Sequence, residues 1–389
     1  MKVRLGIDRL LHEETDCLED KRFGLLVNQA SVTGDLQYSA DAISKRFPGG
    51  LTALFTPQHG MWGEQQANMI ETSDEFDSRR EIPIYSLYAE IRQPSARMLE
   101  GLDCLVIDLQ DVGTRVYTYI WTLSLCLEAC AEAGVPVLVL DRPNPLGGQI
   151  IEGPTLDSDF RSFVGRYEIP VRHALTVAEF AAWANEEYKI GADLSVLPMQ
   201  GWDRSMGFSE AGLVWVPPSP NMPRLETALL YPGMVLLEGT NLSEGRGTTR
   251  PFEVVGAPFI DSELMTRDLR QFECPGLEIL PTRFEPTFDK WQGQSCGGVA
   301  FYITDASAVR SYKLVIAILS IVRKHWQQEF EWLPPPYEYE YEKPPIDILS
   351  GSDGLRLALE SNVDSMELLN KHAGADDEWL EQAESFLLY

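Results

Sequence analysis

The chain has 389 residues, 44% of them apolar and 23% charged, which describes a folded globular protein rather than a disordered one. A formal net charge of −27 disfavours nucleic acid and anionic membranes as partners, because both require a local excess of lysine and arginine. The length exceeds a typical single core and points to two domains. In chain order, "RFGLLVNQA" reads as a strand ending at Asn28, and "LTALFTPQHG" as a second that breaks at Pro57. "LDCLVIDLQDVG" is a third, with Asp108, Gln110 and Asp111 at its exit, and "GVPVLVLDRPNPLGG" a fourth, ending in Asp141, Arg142 and Asn144. These runs are continuously apolar, as parallel strands covered on both faces must be. Helical patterns lie between them, over 35–47, 96–100 and 116–133, the last closed by Gly134 and Pro136. "TVAEFAAWANEEY" follows, with Thr176 and Glu179 spaced as a capping box, and "DLSVLPM" reads as a further strand.

This alternation predicts an α/β class, a Rossmann-like doubly wound parallel sheet over residues 1–205. A second, distinct C-terminal α/β domain is expected over 206–389. Its texture is different: proline-rich "WVPPSPNMPR", a glycine-rich segment, a strand at "GGVAFYITD", a helix over 306–326, the connection "WLPPPYEYEYEKPP" and short acidic helices. In doubly wound sheets ligands bind outside the carboxyl ends of the strands, and here each exit carries polar side chains. No G-x-G-x-x-G follows the first strand and no Walker motif occurs. The six cysteines form no C-x-x-C, and Cys126 and Cys130, four apart on a predicted helix, read as a buried small-apolar stripe. The first fourteen residues are charged throughout, and the longest apolar run, "LVIAILSIV", is too short to span a bilayer, so a cytoplasmic location is expected.

The histidines are scattered without zinc spacing, and no G-x-S-x-G elbow is present. Strand-end Asp108, Asp111 and Asp141 suit an oxygen-ligated divalent cation, so a metal-assisted hydrolase is one alternative. Carboxylate chemistry of the glycosidase kind fits better: a protonated acid beside a leaving oxygen, and in most families a second carboxylate as nucleophile or base. Candidates are Glu64, Asp108, Asp111, Glu238 and Glu244. Trp62, Tyr117, Tyr119, Trp121 and Trp215 are nearby aromatics suited to a sugar face or to packing.

The motifs "DLQDVGTRVYTYIWTL", "LDRPNPLGG", "IPVRHALTVAEF", "GLVWVPPSPNMP" and "YPGMVLLEGTNLSEGRGTTRPFEVVGAP" resemble the exo-acting β-N-acetylmuramidase family of bacteria, from the first strand to at least Pro258. The resemblance implies an active cleft between the two domains, release of terminal non-reducing β-1,4-linked N-acetylmuramic acid from peptidoglycan fragments, an amino-sugar or muropeptide partner, and neither metal nor organic cofactor. It also exposes a departure. The family's strand-end motif usually reads Pro-Glu-His-Gly, with the glutamate as catalytic acid, whereas this chain has Gln58 there. An amide has no proton to exchange near neutral pH. Three readings stay open: Glu64 supplies the carboxylate; Glu244 with Asp108 or Asp111 does; or the protein is a non-catalytic glycan-binding protein on the same scaffold. Glu64 and Glu244 are the catalytic candidates. A lactyl carboxylate calls for arginine, so Arg115, Arg246 and Arg250 are binding candidates. Gln58, His59, Asp108, Asp111, Asn144, Asn221 and Asn241 complete the expected substrate-binding set.

Overall fold

The computed structural model describes residues 2–66, 70–89, 91–361, 367 and 377–389. The expected α/β architecture is the one found. Six parallel strands build the first sheet: β1 (Phe23–Val27), β2 (Leu51–Thr56), β4 (Ile82–Ser86), β5 (Cys104–Asp108), β6 (Val137–Leu140) and β9 (Leu194–Leu197). The short β3 (Glu75–Asp77) pairs antiparallel with β4 and closes that edge, giving the order β3-β4-β2-β1-β5-β6-β9. β1 and β5 are buried along their whole length, which is why their sequences carry no polar alternation. At Gly24 a Cβ would stand 2.7 Å from the Phe55 ring, so glycine lets the large side chain lie flat on β1. The chain runs outward from β1 to β2 and β4, then returns to the other side of β1 for β5, β6 and β9. Strand order therefore reverses between β1 and β5, and a crevice opens above their carboxyl ends.

Sequence reading missed β3 and β4. "IPIYS" has Pro83 within it and a half-buried pattern, the signature of a strand near a sheet edge, and Glu75 and Asp77 give the outermost strand the charges that deter further pairing. The helices fall near their expected places: Ser39–Arg46, Ala96–Leu99, Tyr119–Ala133 and Val177–Glu187. Thr176 accepts from the Glu179 amide and Glu179 from the Thr176 amide, the reciprocal cap the sequence predicts. Gly134 ends its helix at φ 67°.

The C-terminal half holds a three-stranded antiparallel sheet, β10 (Val254–Ala257), β12 (Cys296–Ile303) and β11 (Leu277–Phe284), in the order β10-β12-β11. β7 (Glu152–Thr155) and β8 (Pro170–Arg172) form a small antiparallel pair between the halves. Helix Ser311–His325 lies on helix Leu225–Met234 so closely that a Cβ on Gly233 would meet the Ser311 carbonyl at 1.9 Å. One hydrophobic core runs through both halves, from Ile107 and Trp121 to Leu237 and Ile316. No helix among the described residues is long and apolar enough to cross a membrane.

Candidate active site

Five segments meet over the ends of β2 and β5 and enclose one small cavity. The first is the exit of β2. Past Pro57 the backbone turns sharply, with His59 at φ 74° and Gly60 at φ 69°. The left-handed conformation costs a non-glycine residue about 1–2 kcal/mol, and such strain is found where a side chain must be aimed. Gln58 and His59 both line the cavity. The His59 Nδ1 lies 2.8 Å from the Gln65 carbonyl and so must carry the hydrogen. Burial pulls its pKa down to about 4, so the ring is neutral near pH 7. Thr118 Oγ1 donates to Gln58 Oε1 at 3.0 Å, which turns the Gln58 amide nitrogen the other way.

The second segment follows β5. Tyr117 and Thr118 reach the cavity, and Tyr119 anchors the turn by donating to the Pro218 carbonyl at 2.8 Å. The third, beyond Pro218, contributes Ser219 and Asn221, and Asn221 Nδ2 donates to the Gln66 carbonyl at 2.8 Å. The fourth is the glycine-rich segment. Gly245 (φ 86°) and Gly247 (φ 78°) pass within 2.7 Å and 2.5 Å of neighbouring carbonyls, measured from where a Cβ would be, so other residues cannot follow this path. It delivers Arg246 to the cavity wall. Glu238 Oε1 accepts from Arg246 Nη2 at 2.7 Å and Nε at 3.2 Å. Behind them Glu244 lies 2.6 Å from Lys290 Nζ and 3.4 Å from Arg246 Nε. Burial pushes the Glu244 carboxyl up, against the pull of Lys290.

The fifth segment, within "PPPYEYEYEKPP", is a tight hairpin in which Tyr337 and Glu340 exchange backbone hydrogen bonds of 2.9 Å. Its two central residues, Glu338 (φ 43°) and Tyr339 (φ 68°), are both left-handed, a geometry usually filled by Asn and Gly. Tyr337 donates to Glu238 Oε2 at 2.6 Å, and Tyr88 donates to Glu338 Oε2 at 2.9 Å. The Gln58 side chain also hydrogen-bonds Glu338. Burial pushes the Glu338 carboxyl up to about 7, with Glu238 adding to the rise and Tyr88, Gln58 and Arg246 opposing it. Among the described residues, Glu338 is the one carboxylate in the cavity wall.

Of the expected site residues, Gln58, His59, Asn221 and Arg246 are brought together here. The others stand elsewhere. Glu64 is exposed on the loop after β2, and Glu244 is fully buried behind Arg246. Asp108 is held by Arg142 through two contacts of 2.6 and 2.8 Å. Asp111 accepts from the Gly113 amide at 2.6 Å, and burial pushes it up to about 7. Arg115, with no exposure, donates to the carbonyls of Pro154, Ile169 and Leu349 and so ties the halves together. Asn144 donates to the Leu175 carbonyl, Asn241 to that of Glu329, and Arg250 to the Phe301 carbonyl and the Tyr302 hydroxyl. These contacts tie each of those side chains to the scaffold, outside the cavity wall that Gln58, His59, Asn221 and Arg246 share. Of the aromatics, Tyr117 faces the cavity, Tyr119 and Trp121 are core, and Trp62 is 54% exposed. The strand-end aspartates do not converge either: Asp141 accepts from Thr176, Ala178 and Tyr389. No group of three His, Cys, Asp or Glu side chains able to hold a metal occurs among the described residues.

Sequence reading passed over Glu338, Tyr337 and Tyr88. The available signal is the run of alternating tyrosine and glutamate between proline clusters, a pattern that by itself predicts only a connection. Wider surface hollows exist, such as that lined by Phe259, Asp261, Glu263 and Arg283. There Asp261 serves as a helix cap, accepting from the Leu264 amide.

A doubly wound sheet joined to an antiparallel domain, with a buried carboxylate and a buried arginine in one cavity wall over the strand ends, makes this an α/β protein with a polar cleft suited to acid–base chemistry. The chain belongs to the exo-β-N-acetylmuramidase NamZ family: the N-terminal family model matches residues 23–226 and the C-terminal model residues 229–389. It is 40% identical over 388 residues to the peptidoglycan β-N-acetylmuramidase NamZ of Bacillus subtilis, covering 100% of this chain and 92% of that protein. Two crystal structures of DUF1343 family proteins from Bacteroides fragilis are similar over 100% of this chain and 99% of theirs. One has a TM-score of 0.89 at 30% identity, the other 0.76 at 26%.

Proposed function

We propose that this chain is an exo-β-N-acetylmuramidase, a glycoside hydrolase that removes terminal non-reducing β-1,4-linked N-acetylmuramic acid from peptidoglycan fragments, and that it does so in the cavity over β2 and β5. The observation that carries this reading is the pairing of a buried carboxylate, Glu338, with a buried guanidinium, Arg246, in one cavity wall. Muramic acid presents two matching groups, a glycosidic oxygen that must be protonated to leave and a lactyl carboxylate that needs a cation. Nε and Nη2 of Arg246 are engaged by Glu238, so contact with the lactyl group falls to Nη1. Glu238 and Glu244 hold the guanidinium in place from behind. Gln58, neutral His59 and Asn221 supply donors and acceptors for hydroxyl and acetamido groups.

We place the reaction in the cytoplasm, a reading supported by six free cysteines, four of them on β5, on β12 or in the helix after β5 with no exposure or nearly none. Cell fractionation with an antibody tests that placement. For the activity, purified protein is given the disaccharide of N-acetylmuramic acid β-1,4-linked to N-acetylglucosamine, with and without EDTA. Release of free N-acetylmuramic acid, unaffected by EDTA, is the expected result. Binding of the disaccharide without cleavage would replace this reading with a glycan-binding one. Inhibition by EDTA would instead favour metal-assisted hydrolysis.

A further inference from the structure

We propose that Glu338 is the catalytic acid of this chain, and that Gln58 and Tyr88 are the residues that position it. The inference rests on the muramidase reading above and adds to it the identity of the proton donor.

Three observations converge. First, the exit of β2 carries an amide, and an amide cannot move a proton at working pH, yet Gln58 is hydrogen-bonded to the carboxylate across the cavity. Thr118 holds the Gln58 oxygen, so the amide nitrogen is the end left to donate to Glu338. Second, the rival carboxylates are committed elsewhere. Glu238 is ion-paired to Arg246 and accepts from Tyr337, Glu244 is ion-paired to Lys290, and Glu64 is exposed outside the cavity. None of these three carboxylates lines the cavity, so none is placed beside a leaving oxygen there. Third, Glu338 is held in a strained turn by a backbone that spends about 1–2 kcal/mol on each of two left-handed residues, and its Oε2 is fixed by the Tyr88 hydroxyl. Burial keeps a substantial fraction of this carboxyl protonated near neutral pH, which suits a general acid.

In the step, the Glu338 proton passes to the glycosidic oxygen as the bond from that oxygen to the anomeric carbon breaks, and the bonding pair leaves with the oxygen. A water molecule bonds to the anomeric carbon and releases one proton, which restores the Glu338 acid. One water is consumed and nothing is oxidised or reduced.

The test compares two leaving groups. Glu338→Gln is assayed on the natural disaccharide and on 4-nitrophenyl β-N-acetylmuraminide, whose phenolate leaves with little help from an acid. We expect a loss of at least about 100-fold in kcat on the disaccharide and a much smaller loss on the aryl substrate, the signature of a missing proton donor. Melting temperature and calorimetric binding of N-acetylmuramic acid establish that the variant is folded. Equal losses on both substrates, or the selective loss appearing in Glu64→Gln instead, would overturn the assignment while leaving the enzyme reading intact. Failure of the wild type to cleave either substrate would overturn both. Tyr88→Phe supplies a second readout if Glu338→Gln does not fold. The Tyr88 hydroxyl stabilises the ionised carboxylate, so its removal raises the Glu338 pKa and moves the basic limb of the kcat/KM profile to higher pH. An unmoved limb counts against Glu338. Finally, the swap Gln58→Glu with Glu338→Gln returns a carboxylate to the same hydrogen-bonded pair. Recovery of disaccharide cleavage above the single Glu338→Gln variant is expected, and no recovery argues that the turn, not the proton, is what Glu338 supplies.

Discussion

The two sides of the cavity are built on opposite plans. The wall supplied by the parallel sheet is electrically neutral: an amide (Gln58), an imidazole kept neutral by burial (His59), and hydroxyls (Tyr117, Thr118). The wall supplied by the C-terminal half carries the ionisable groups, Arg246 and Glu338, with Glu238, Glu244 and Lys290 behind them. The neutral groups sit at the ends of regular strands or a helix, where few contacts are needed to hold them. The charged groups sit on irregular segments whose glycines and left-handed residues are locked by hydrogen bonds. The difference teaches that placing a charge in a dry site requires its partners to be placed with it, and an irregular backbone can bring five such side chains to one spot where a strand end cannot.

The most damaging way to break the charged side is at Arg246. Arg246→Met leaves Glu238 buried without its cation, and a loss of about 3–5 kcal/mol in unfolding free energy is expected in a denaturant titration. Adding Glu238→Gln removes the orphaned charge and recovers much of that stability, while affinity for N-acetylmuramic acid stays low if Arg246 binds the lactyl group. A smaller effect sets the two sides against each other through pH. His59 has a folded-state pKa of about 4 against 6.5 for the free side chain, so its contribution is complete above 6.5 and lost as pH falls toward 4. Glu338 is raised from 4.5 to about 7, so its contribution is complete below 4.5 and lost as pH rises through 7. The two slopes oppose each other over the same window. His59→Asn tolerates the left-handed backbone and removes one slope, so stability relative to wild type declines as pH rises across the window. Glu338→Gln produces the opposite trend. Each amounts to at most about 3 kcal/mol, and melting temperatures recorded from about pH 5 to 7 measure both.

How legible these walls were in the sequence follows from the same contrast. The neutral wall was largely readable, because continuous apolar runs mark the strands and a polar residue after such a run marks an exit; Gln58 and His59 were found that way. The other strand exits carry a weaker signal. Asp108 and Asn144 have the right position and chemistry, but their partners, Arg142 and the Leu175 carbonyl, are distant in sequence, and no local pattern distinguishes a side chain bound to the scaffold from one facing a ligand. On the charged side the glycine-rich segment announced itself, and one of its two arginines reaches the cavity. Which one depends on tertiary pairing, Arg246 with Glu238 and Arg250 with Glu253 and the Phe301 carbonyl. Glu338 was hidden for a further reason. A type of turn usually written with Asn and Gly is written here with Glu and Tyr, so its sequence carries no turn signal at all.

The smallest expected effect belongs to the loop between Met61 and Gln66, and it separates what a backbone does from what a side chain does. The Gln65 carbonyl fixes the His59 tautomer, and the Gln66 carbonyl holds Asn221. Gly63 (φ 64°) lets the loop fold over Gln29, where a Cβ would overlap the Gln29 side chain at 1.3 Å and disturb its hydrogen bond to the Pro217 carbonyl. The loop's backbone therefore serves the site directly. Glu64 lies between these points with its side chain in solvent. Gly63→Ala should accordingly lower kcat/KM about 10-fold or more, since small displacements of positioning groups have large kinetic effects. Glu64→Gln should stay within about twofold of wild type and shift stability by less than about 0.5 kcal/mol, as exposed substitutions do. Steady-state kinetics on the disaccharide decide the matter. A large loss in Glu64→Gln together with a mild one in Gly63→Ala would mean that the loop closes on bound substrate and carries its carboxylate inward, placing a charge on the neutral side of the cavity.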